Sequence, residues 1–143
     1  MAQIHKTIDI PAPPEQVYDL IAAVEEYPRF FRQVKSVRSI GGNNYLWEAE
    51  LAGLHLSWHG QIVVAERPQH FAWESVTGLI RNRGCFRITS VPGGSRVNFA
   101  MTYELGRPWL ERLLAPLAAG LAHSVIDEAL VKIRAHFSQY NHL

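Results

Sequence analysis

The chain has 143 residues, 48% of them hydrophobic, which is enough for one buried core and typical of a single globular domain. Its formal net charge of +1 excludes a broadly basic surface, so we expect no DNA partner. The single cysteine, Cys85, excludes an internal disulfide. No apolar run is long enough to span a membrane, and no run follows a basic leader. We therefore expect one domain over residues 1–143, located in the cytoplasm.

The N-terminal region predicts a strand over Gln3–Ile10 followed by an amphipathic helix. Pro14 suits the first helical position, where a backbone N–H would lack a partner in any case. Four apolar residues then fall at i, i+3, i+4 and i+7, namely Val17, Leu20, Ile21 and Val24. Pro28 opens a second short helical turn. One apolar helix face is thus available to cover a sheet.

From about Gln33 to Leu105 the apolar residues recur with a period of two, which predicts a continuous antiparallel sheet. Glycine-rich and proline-containing turns, with a hairpin over residues 78–82, separate the strands. With the first strand, about seven strands are predicted. The alternation places six large residues on the concave face: Leu56, Trp58, Ile62, Phe99, Met101 and Tyr103.

The C-terminal region predicts one long helix, from Pro108 to about Tyr140, bent at Pro116. A helix is about 10 Å wide, so a single one cannot fill the concave side of a seven-stranded sheet whose strands lie nearly 5 Å apart. Small residues on the helix remove further volume: Ala118, Ala122 and Ala129. The sequence therefore predicts an apolar cavity between the sheet and the segment Ala118–Phe137, with polar groups confined to its mouth.

The concave strands supply aromatic rings to this cavity, among them Trp47. Our candidate ligand-binding residues are Trp58, Trp73, Phe86, Phe99, Met101, Tyr103, Ala122 and Ile126, together with Arg83. Arg81 and Arg83 lie in a predicted hairpin, where an arginine can hold a carboxylate, phosphate or phenolate head group. The alternatives are that the rings only fill a core and that the arginines belong to a solvated hairpin tip.

The polar residues do not predict a catalytic or metal centre. In a strand, His55 and His59 lie about 13 Å apart, too far for one ion. His123 follows Ala122 and is best interpreted as a surface histidine, the alternative being an acid or base at the cavity edge. Cys85 has the parity of an outward residue. Because the chain has no catalytic triad, phosphate loop or dinucleotide motif, we assign no catalytic residue, metal or cofactor.

The strand, proline turn and helix of Ile8–Ile21, followed by Tyr27-Pro28-Arg29-Phe30, carry a resemblance to a known family. Together with Phe71–Gly78, Gly84-Cys85-Phe86 and Ser95-Arg96-Val97, they resemble the polyketide cyclase/dehydrase and coenzyme Q-binding branch of the START-related (SRPBCC) superfamily. The resemblance covers essentially the whole chain. It implies an α+β helix-grip fold, in which a curved antiparallel sheet wraps around a long C-terminal helix and encloses a hydrophobic cavity.

The resemblance leaves three functions open, because the family includes aromatase/cyclases, lipid and quinone carriers and a ribosome-associating toxin. A carrier or sensor of a lipid, quinone or polyketide-like ligand needs an almost wholly apolar cavity. A cyclase or dehydratase needs a buried acid/base pair inside it. A protein that contacts a ribosome or membrane surface would instead use a basic patch, with Arg29, Arg32, Lys35 and Arg38 as candidates. The sequence makes no prediction of the oligomeric state.

Overall fold

The computed structural model describes residues 2–141, without the side chains of residues 114–119 and 139–141. The elements in chain order are β1 (Ala2–Ile10), α1 (Pro14–Ala22), a 3₁₀ helix (Val24–Arg29), β2 (Val34–Gly41), β3 (Asn44–Leu51), β4 (Leu54–Glu66), β5 (His70–Gly78), β6 (Ile80–Val91), β7 (Gly94–Leu105) and α2 (Pro108–Asn141). The predicted α+β helix-grip architecture, with a seven-stranded sheet, two short helices and a long C-terminal helix, is confirmed.

All seven strands form one curved antiparallel sheet in the order β1-β7-β6-β5-β4-β3-β2. Each strand from β2 to β6 pairs with its successor in the chain, and β1 forms the other edge by pairing with β7. Helix α2 lies on the concave side and packs mainly along β1 and β7. The strands farthest from that packing therefore face a space that the helix does not fill.

Helix α1 begins at Pro14, as predicted, and its first turn is closed by the Pro13 carbonyl, which accepts the N–H groups of Gln16 and Val17 at 3.1 Å each. Val17 and Ile21 of the predicted apolar stripe are buried. The turn before α1 is also tied to β7, because the buried hydroxyl of Ser95 donates to the carbonyl of Ala12 at 2.6 Å. These contacts place α1 across one end of the sheet.

The core of the protein is divided between the two ends of α2. The larger cluster packs α1, the 3₁₀ helix and the sheet against five residues of α2: Ile126, Ala129, Leu130, Ile133 and Phe137. The smaller cluster, at the other end, contains Leu56 and Leu110. Ala129 is fully buried in the larger cluster. The cavity predicted between Ala118–Phe137 and the sheet therefore borders only the part of that segment up to Ile126, because the residues beyond it belong to the core.

The structure defines the hairpin between β5 and β6 and the C-terminal helix more closely than the sequence does. The hairpin predicted over residues 78–82 is shorter, because β5 continues to Gly78 and β6 already begins at Ile80. Helix α2 is one continuous helix from Pro108 to Asn141. The bend predicted at Pro116, and the position of Ala118, fall where the side chains lie outside the described part of the chain, and both stay predictions.

Candidate ligand-binding cavity

A cavity of about 200 Å³ lies between the sheet and the middle of α2. On the helix side its wall is formed by Leu121, Ala122, Val125 and Ile126. The remaining wall comes from the concave faces of β3 to β7 and from the segment Val24–Val34 that joins α1 to β2. The cavity thus occupies the gap between the two parts of the core.

Eight of the nine candidate residues line this cavity: Trp58, Trp73, Phe86, Phe99, Met101, Tyr103, Ala122 and Ile126. Those from the sheet share one face because of the period-two alternation, with Phe86 opposite Phe99 across β6 and β7. Ala122 and Ile126 lie four residues apart on α2, one turn along the same face. Their role in binding a ligand stays a prediction.

Arg83, the ninth candidate, does not line the cavity. Along β6, Arg83 has the opposite parity to Asn82 and Phe86, which line the cavity, and it is exposed. It lies instead with Arg81 in an outer polar depression where β5 and β6 separate beyond the pair Glu74–Arg83. The sequence places this arginine at a mouth because it assigns the region to a hairpin tip, whereas β6 extends through it.

Trp73 is held in the wall by two neighbours on β6. Its indole N–H donates to Oδ1 of Asn82 at 2.9 Å, and the Asn82 backbone N–H donates to the Ser75 hydroxyl at 2.9 Å. The ring lies over Gly84, where an added Cβ would come within 2.5 Å of it. It is also stacked on Phe99, with ring centroids 5.8 Å apart. The Trp73 ring therefore has a defined position rather than several rotamers.

A second pair of tryptophans forms the other aromatic wall. The rings of Trp47 and Trp58 are nearly parallel, at 9° and 5.8 Å between centroids. Gly60 makes room for Trp47, because a Cβ there would lie 3.0 Å from its Nε1 atom. Tyr27 contacts Trp47 edge to face at 5.5 Å. Together these rings present flat apolar surfaces to the cavity.

Sequence reasoning missed the contribution of the segment before β2. Tyr27, Phe31 and Gln33 line the cavity, but the segment has no helix or strand period that would predict which side chains face inward. Asn82 was also missed, although it shares the parity of Phe86. The expectation that polar groups are confined to the mouth stays a prediction: Gln33 and Asn82 are among the lining residues, and the Oε1 atom of Gln33 is buried.

The hydroxyl of Tyr27 is occupied by the protein itself. It donates to the carbonyl of Ile21 at 2.6 Å, and the residue is buried. Burial raises the pKa of Tyr27 well above its usual range, because the phenolate would lose its hydration. Tyr27 therefore holds α1 and the 3₁₀ helix together and stays protonated near neutral pH.

The cavity wall, as far as its side chains are described, is formed by apolar, aromatic and amide residues. Among the described residues that line it there is no Asp, Glu, His, Lys or Arg. His123 is exposed on α2, His55 is exposed on β4, and His59 bonds through Nε2 to Oδ1 of Asn44 at 2.9 Å. Within residues 2–141, no group of three His, Cys, Asp or Glu side chains is arranged to hold a metal ion. The described residues around the cavity can bind an apolar molecule and offer no carboxylate, imidazole or amine to it.

The fold and this cavity agree with a family comparison. Residues 1–138 match the family described as polyketide cyclase / dehydrase and lipid transport. The protein belongs to this family. No curated protein is similar enough to this chain to count as a match.

Solved structures with this fold cover nearly the whole chain of this member of the polyketide cyclase/dehydrase family. TTHA0849 from Thermus thermophilus is 24% identical, with 97% of this chain and 99% of that chain aligned at a TM-score of 0.81. A START superfamily protein from Mycobacterium smegmatis is 15% identical, with 96% and 98% aligned at 0.78. The di-domain ARO/CYC StfQ of the steffimycin biosynthetic pathway is 14% identical, with 97% and 46% aligned at 0.71. These likenesses establish the fold.

Within the described residues, no helix combines the length and the apolar character that crossing a bilayer requires.

Proposed function

We propose that this protein binds a hydrophobic small molecule in the cavity between α2 and the sheet and acts as its carrier or sensor. The observation that carries the proposal is a cavity of about 200 Å³ whose wall is almost wholly apolar. An apolar cavity of about 150 Å³ is large enough to bind benzene. The present one therefore suits a molecule or chain segment with the bulk of two fused rings, and the ligand classes are a lipid, a quinone or a polyketide-like molecule.

A polyketide cyclase or dehydratase activity is the first alternative, because the family description includes both enzymes. Such chemistry moves protons and needs a positioned acid or base. The described lining residues offer hydroxyl and amide groups but no carboxylate, imidazole or amine. The lack of these groups among the described lining residues favours ligand binding over catalysis.

A macromolecular partner such as the ribosome or a membrane surface is the second alternative. It depends on the basic residues between Arg29 and Arg38. Three of them are near carboxylates: Arg29 to Glu26 at 3.9 Å, Arg32 to Glu128 at 3.4 Å and Lys35 to Glu50 at 3.9 Å. These acidic neighbours weaken the local positive potential, and the core between α2 and the sheet is not filled. Both observations favour the small-molecule proposal.

The proposed ligand contacts are the eight candidate residues of the cavity wall. Arg83 is not included, because it is exposed and belongs to the outer depression. Location in the cytoplasm and a single domain over residues 1–143 remain predictions from the sequence.

Narrowing the cavity tests the proposal. We expect wild-type protein to bind 2-methylnaphthalene in isothermal titration calorimetry and Ala122→Phe to abolish the binding, since the new ring occupies the cavity beside Ile126. Overpacking at this position should lower the free energy of unfolding by about 1–3 kcal/mol. The matched control is Ala135→Phe, on an exposed face of the same helix, which should leave binding unchanged.

Two results would contradict the proposal. One is a wild-type protein that binds no 2-methylnaphthalene and releases no apolar molecule in native mass spectrometry after purification. The other is an Ala122→Phe variant that stays folded and binds as tightly as wild type.

A further inference from the structure

The sheet is split along part of the seam between β5 and β6. The ladder between these strands ends at the pair Glu74–Arg83, although both strands continue beyond it. In the continuation β5 stays paired with β4, and β6 stays paired with β7. The seam between residues 75–78 of β5 and residues 80–82 of β6 is therefore open, and we call it the β5–β6 gap.

A bulge in β5 bends this strand beside the gap. Ser75 and Thr77 of β5 pair with two consecutive residues of β4, Gly60 and His59. Val76 is therefore an extra residue on β5 with no counterpart on β4. A bulge of this kind bends its strand and increases the local twist. The separation of β5 from β6 thus has a cause in the pairing of β5 with β4.

The end of the β5–β6 hairpin is fastened on both sides of the gap. Gly78 has a φ of +130°, and a Cβ there would come within 2.5 Å of the Trp58 side chain, so the end of β5 lies close against β4. On the other side, the carbonyl of Leu79 accepts the N–H of Gly106 at 2.7 Å, which ties the turn to the end of β7. The two strands are thus held apart by their outer neighbours.

The cavity and the outer polar depression meet at the β5–β6 gap. Asn82 and Tyr103 line both of them. The depression is lined by the exposed Arg81 and Arg83 and also by Ser75, which has the parity of the inward-facing side chains of β5. The depression therefore reaches into the sheet. At the gap, side chains separate the two spaces where a hydrogen-bonded pair of strands would otherwise do so.

Two hydrogen bonds that involve side chains cross the gap. The Asn82 backbone N–H donates to the Ser75 hydroxyl at 2.9 Å, so its acceptor on β5 is a side chain. The Asn82 side chain accepts the indole N–H of Trp73 at 2.9 Å. Rotation of the Ser75 and Asn82 side chains breaks both bonds and leaves the neighbouring ladders intact. Such rotations are far faster than the opening of a strand pair.

We propose that the ligand enters and leaves the cavity through the β5–β6 gap, and that Asn82 is the side chain that turns aside. This inference rests on the proposed function. Entry on the helix side would cost more, because α2 is packed into a core cluster on each side of the cavity and would have to leave them. At the gap, only side-chain hydrogen bonds need to break.

A disulfide across the gap tests this route. The Ser75 hydroxyl lies 2.9 Å from the Asn82 nitrogen, so cysteines at these positions are within reach of each other. In Ser75→Cys/Asn82→Cys with Cys85→Ser, we expect oxidation to lower both the association and the dissociation rate constant of 2-fluoronaphthalene about tenfold, with an unchanged Kd. Both fall together because one barrier governs both directions. Fluorine exchange NMR with calorimetry measures them, and reduction should restore them.

The matched control is a disulfide in another part of the sheet. Thr7 on β1 and Asn98 on β7 are directly opposite, and their side chains are hydrogen-bonded at 2.8 Å. Neither residue lines the cavity. In Thr7→Cys/Asn98→Cys with Cys85→Ser, oxidation should therefore leave both rate constants unchanged.

The outcomes separate this inference from the proposed function. If 2-fluoronaphthalene binds and oxidation across the gap leaves the rate constants unchanged, or slows them no more than in the control, the inference is wrong and the proposed function stands. A change in the dissociation rate constant alone would reflect altered contacts in the cavity and would also overturn the inference. If wild type does not bind 2-fluoronaphthalene, both fail. Should the cysteine pair not form a disulfide, Asn82→Ala decides: its association rate constant must exceed that of wild type.

Discussion

The absence of a side chain at Gly84 leaves room for the Trp73 ring in the cavity wall. A Cβ at this residue would come within 2.5 Å of the Trp73 ring and 2.6 Å of the carbonyl oxygen of Ala100. The second contact is with backbone, which cannot turn aside as a side chain can. Gly60 is less restricted, because its closest neighbour is the Trp47 side chain at 3.0 Å. An added side chain would therefore be tolerated better at Gly60 than at Gly84.

Substitution by alanine should lower the free energy of unfolding more at Gly84 than at Gly60. We expect Gly84→Ala to lower the free energy of unfolding by about 1–3 kcal/mol, since strand and ring must both shift, and Gly60→Ala to lower it by less. Urea unfolding followed by circular dichroism measures both. Equal stability of Gly84→Ala and wild type, or a larger loss in Gly60→Ala, would show that the ring does not depend on Gly84.

At the scale of elements, α1 is fastened to the connection between β4 and β5 by an ion pair. Nε and Nη2 of Arg67 donate to the two carboxylate oxygens of Asp19 at 2.7 and 3.0 Å. These hydrogen bonds, followed by the charge of Arg67, hold the pKa of Asp19 below its ordinary value of 3.8. Because the pair is exposed to solvent, its contribution to stability is small and screened by salt.

The lowered pKa predicts how this contribution depends on pH. It is fully present above the unfolded-state pKa, near 3.8, and is lost as the pH falls through the lower folded-state pKa. A double-mutant cycle of Asp19→Asn and Arg67→Met should therefore give a favourable coupling energy at pH 7 that declines below about pH 4. Thermal unfolding at several pH values measures it. A coupling energy that is constant from pH 7 to pH 2 would contradict the assignment.

At the scale of the whole molecule, the two ends of α2 are packed and its middle borders a cavity. Leu110 and Ala129 are fully buried, whereas Leu121, Ala122 and Val125 between them are only half-buried. A ligand in the cavity supplies the contacts that the middle of the helix lacks. Binding should therefore stabilise the folded state as a whole.

A bound ligand should raise the melting temperature. At a concentration about 100 times its Kd, 2-methylnaphthalene stabilises the folded state by about 2.7 kcal/mol, provided that it binds only folded protein. For a chain of this size the shift is on the order of 5–10 °C. Differential scanning calorimetry measures it, with Ala122→Phe as the control that should show no shift. An unchanged wild-type melting temperature at that concentration would mean that the ligand does not favour the folded state.

Much of the fold and of the cavity wall follows from local patterns. Alternation along β4 and β7 predicts the inward face of Trp58 and Met101, because successive side chains of a strand point to opposite faces whatever surrounds them. The proline before α1 and its apolar stripe likewise predict where the helix begins and which face it buries. For these residues, local geometry was sufficient.

Only the tertiary structure decided which residues border the cavity where sequence periodicity makes no distinction between them. Ala122 and Ala129 belong to the same stripe of α2, yet one borders the cavity and the other is buried in the core, because this depends on which strands lie opposite each turn. Gln33 precedes β2 in a segment without a period, yet it lines the cavity together with residues of β3 to β7. The sequence by itself determined the strands, the helices and the inward face of the sheet. Packing among distant elements determined the extent of the cavity, because that extent depends on contacts between residues far apart in the chain.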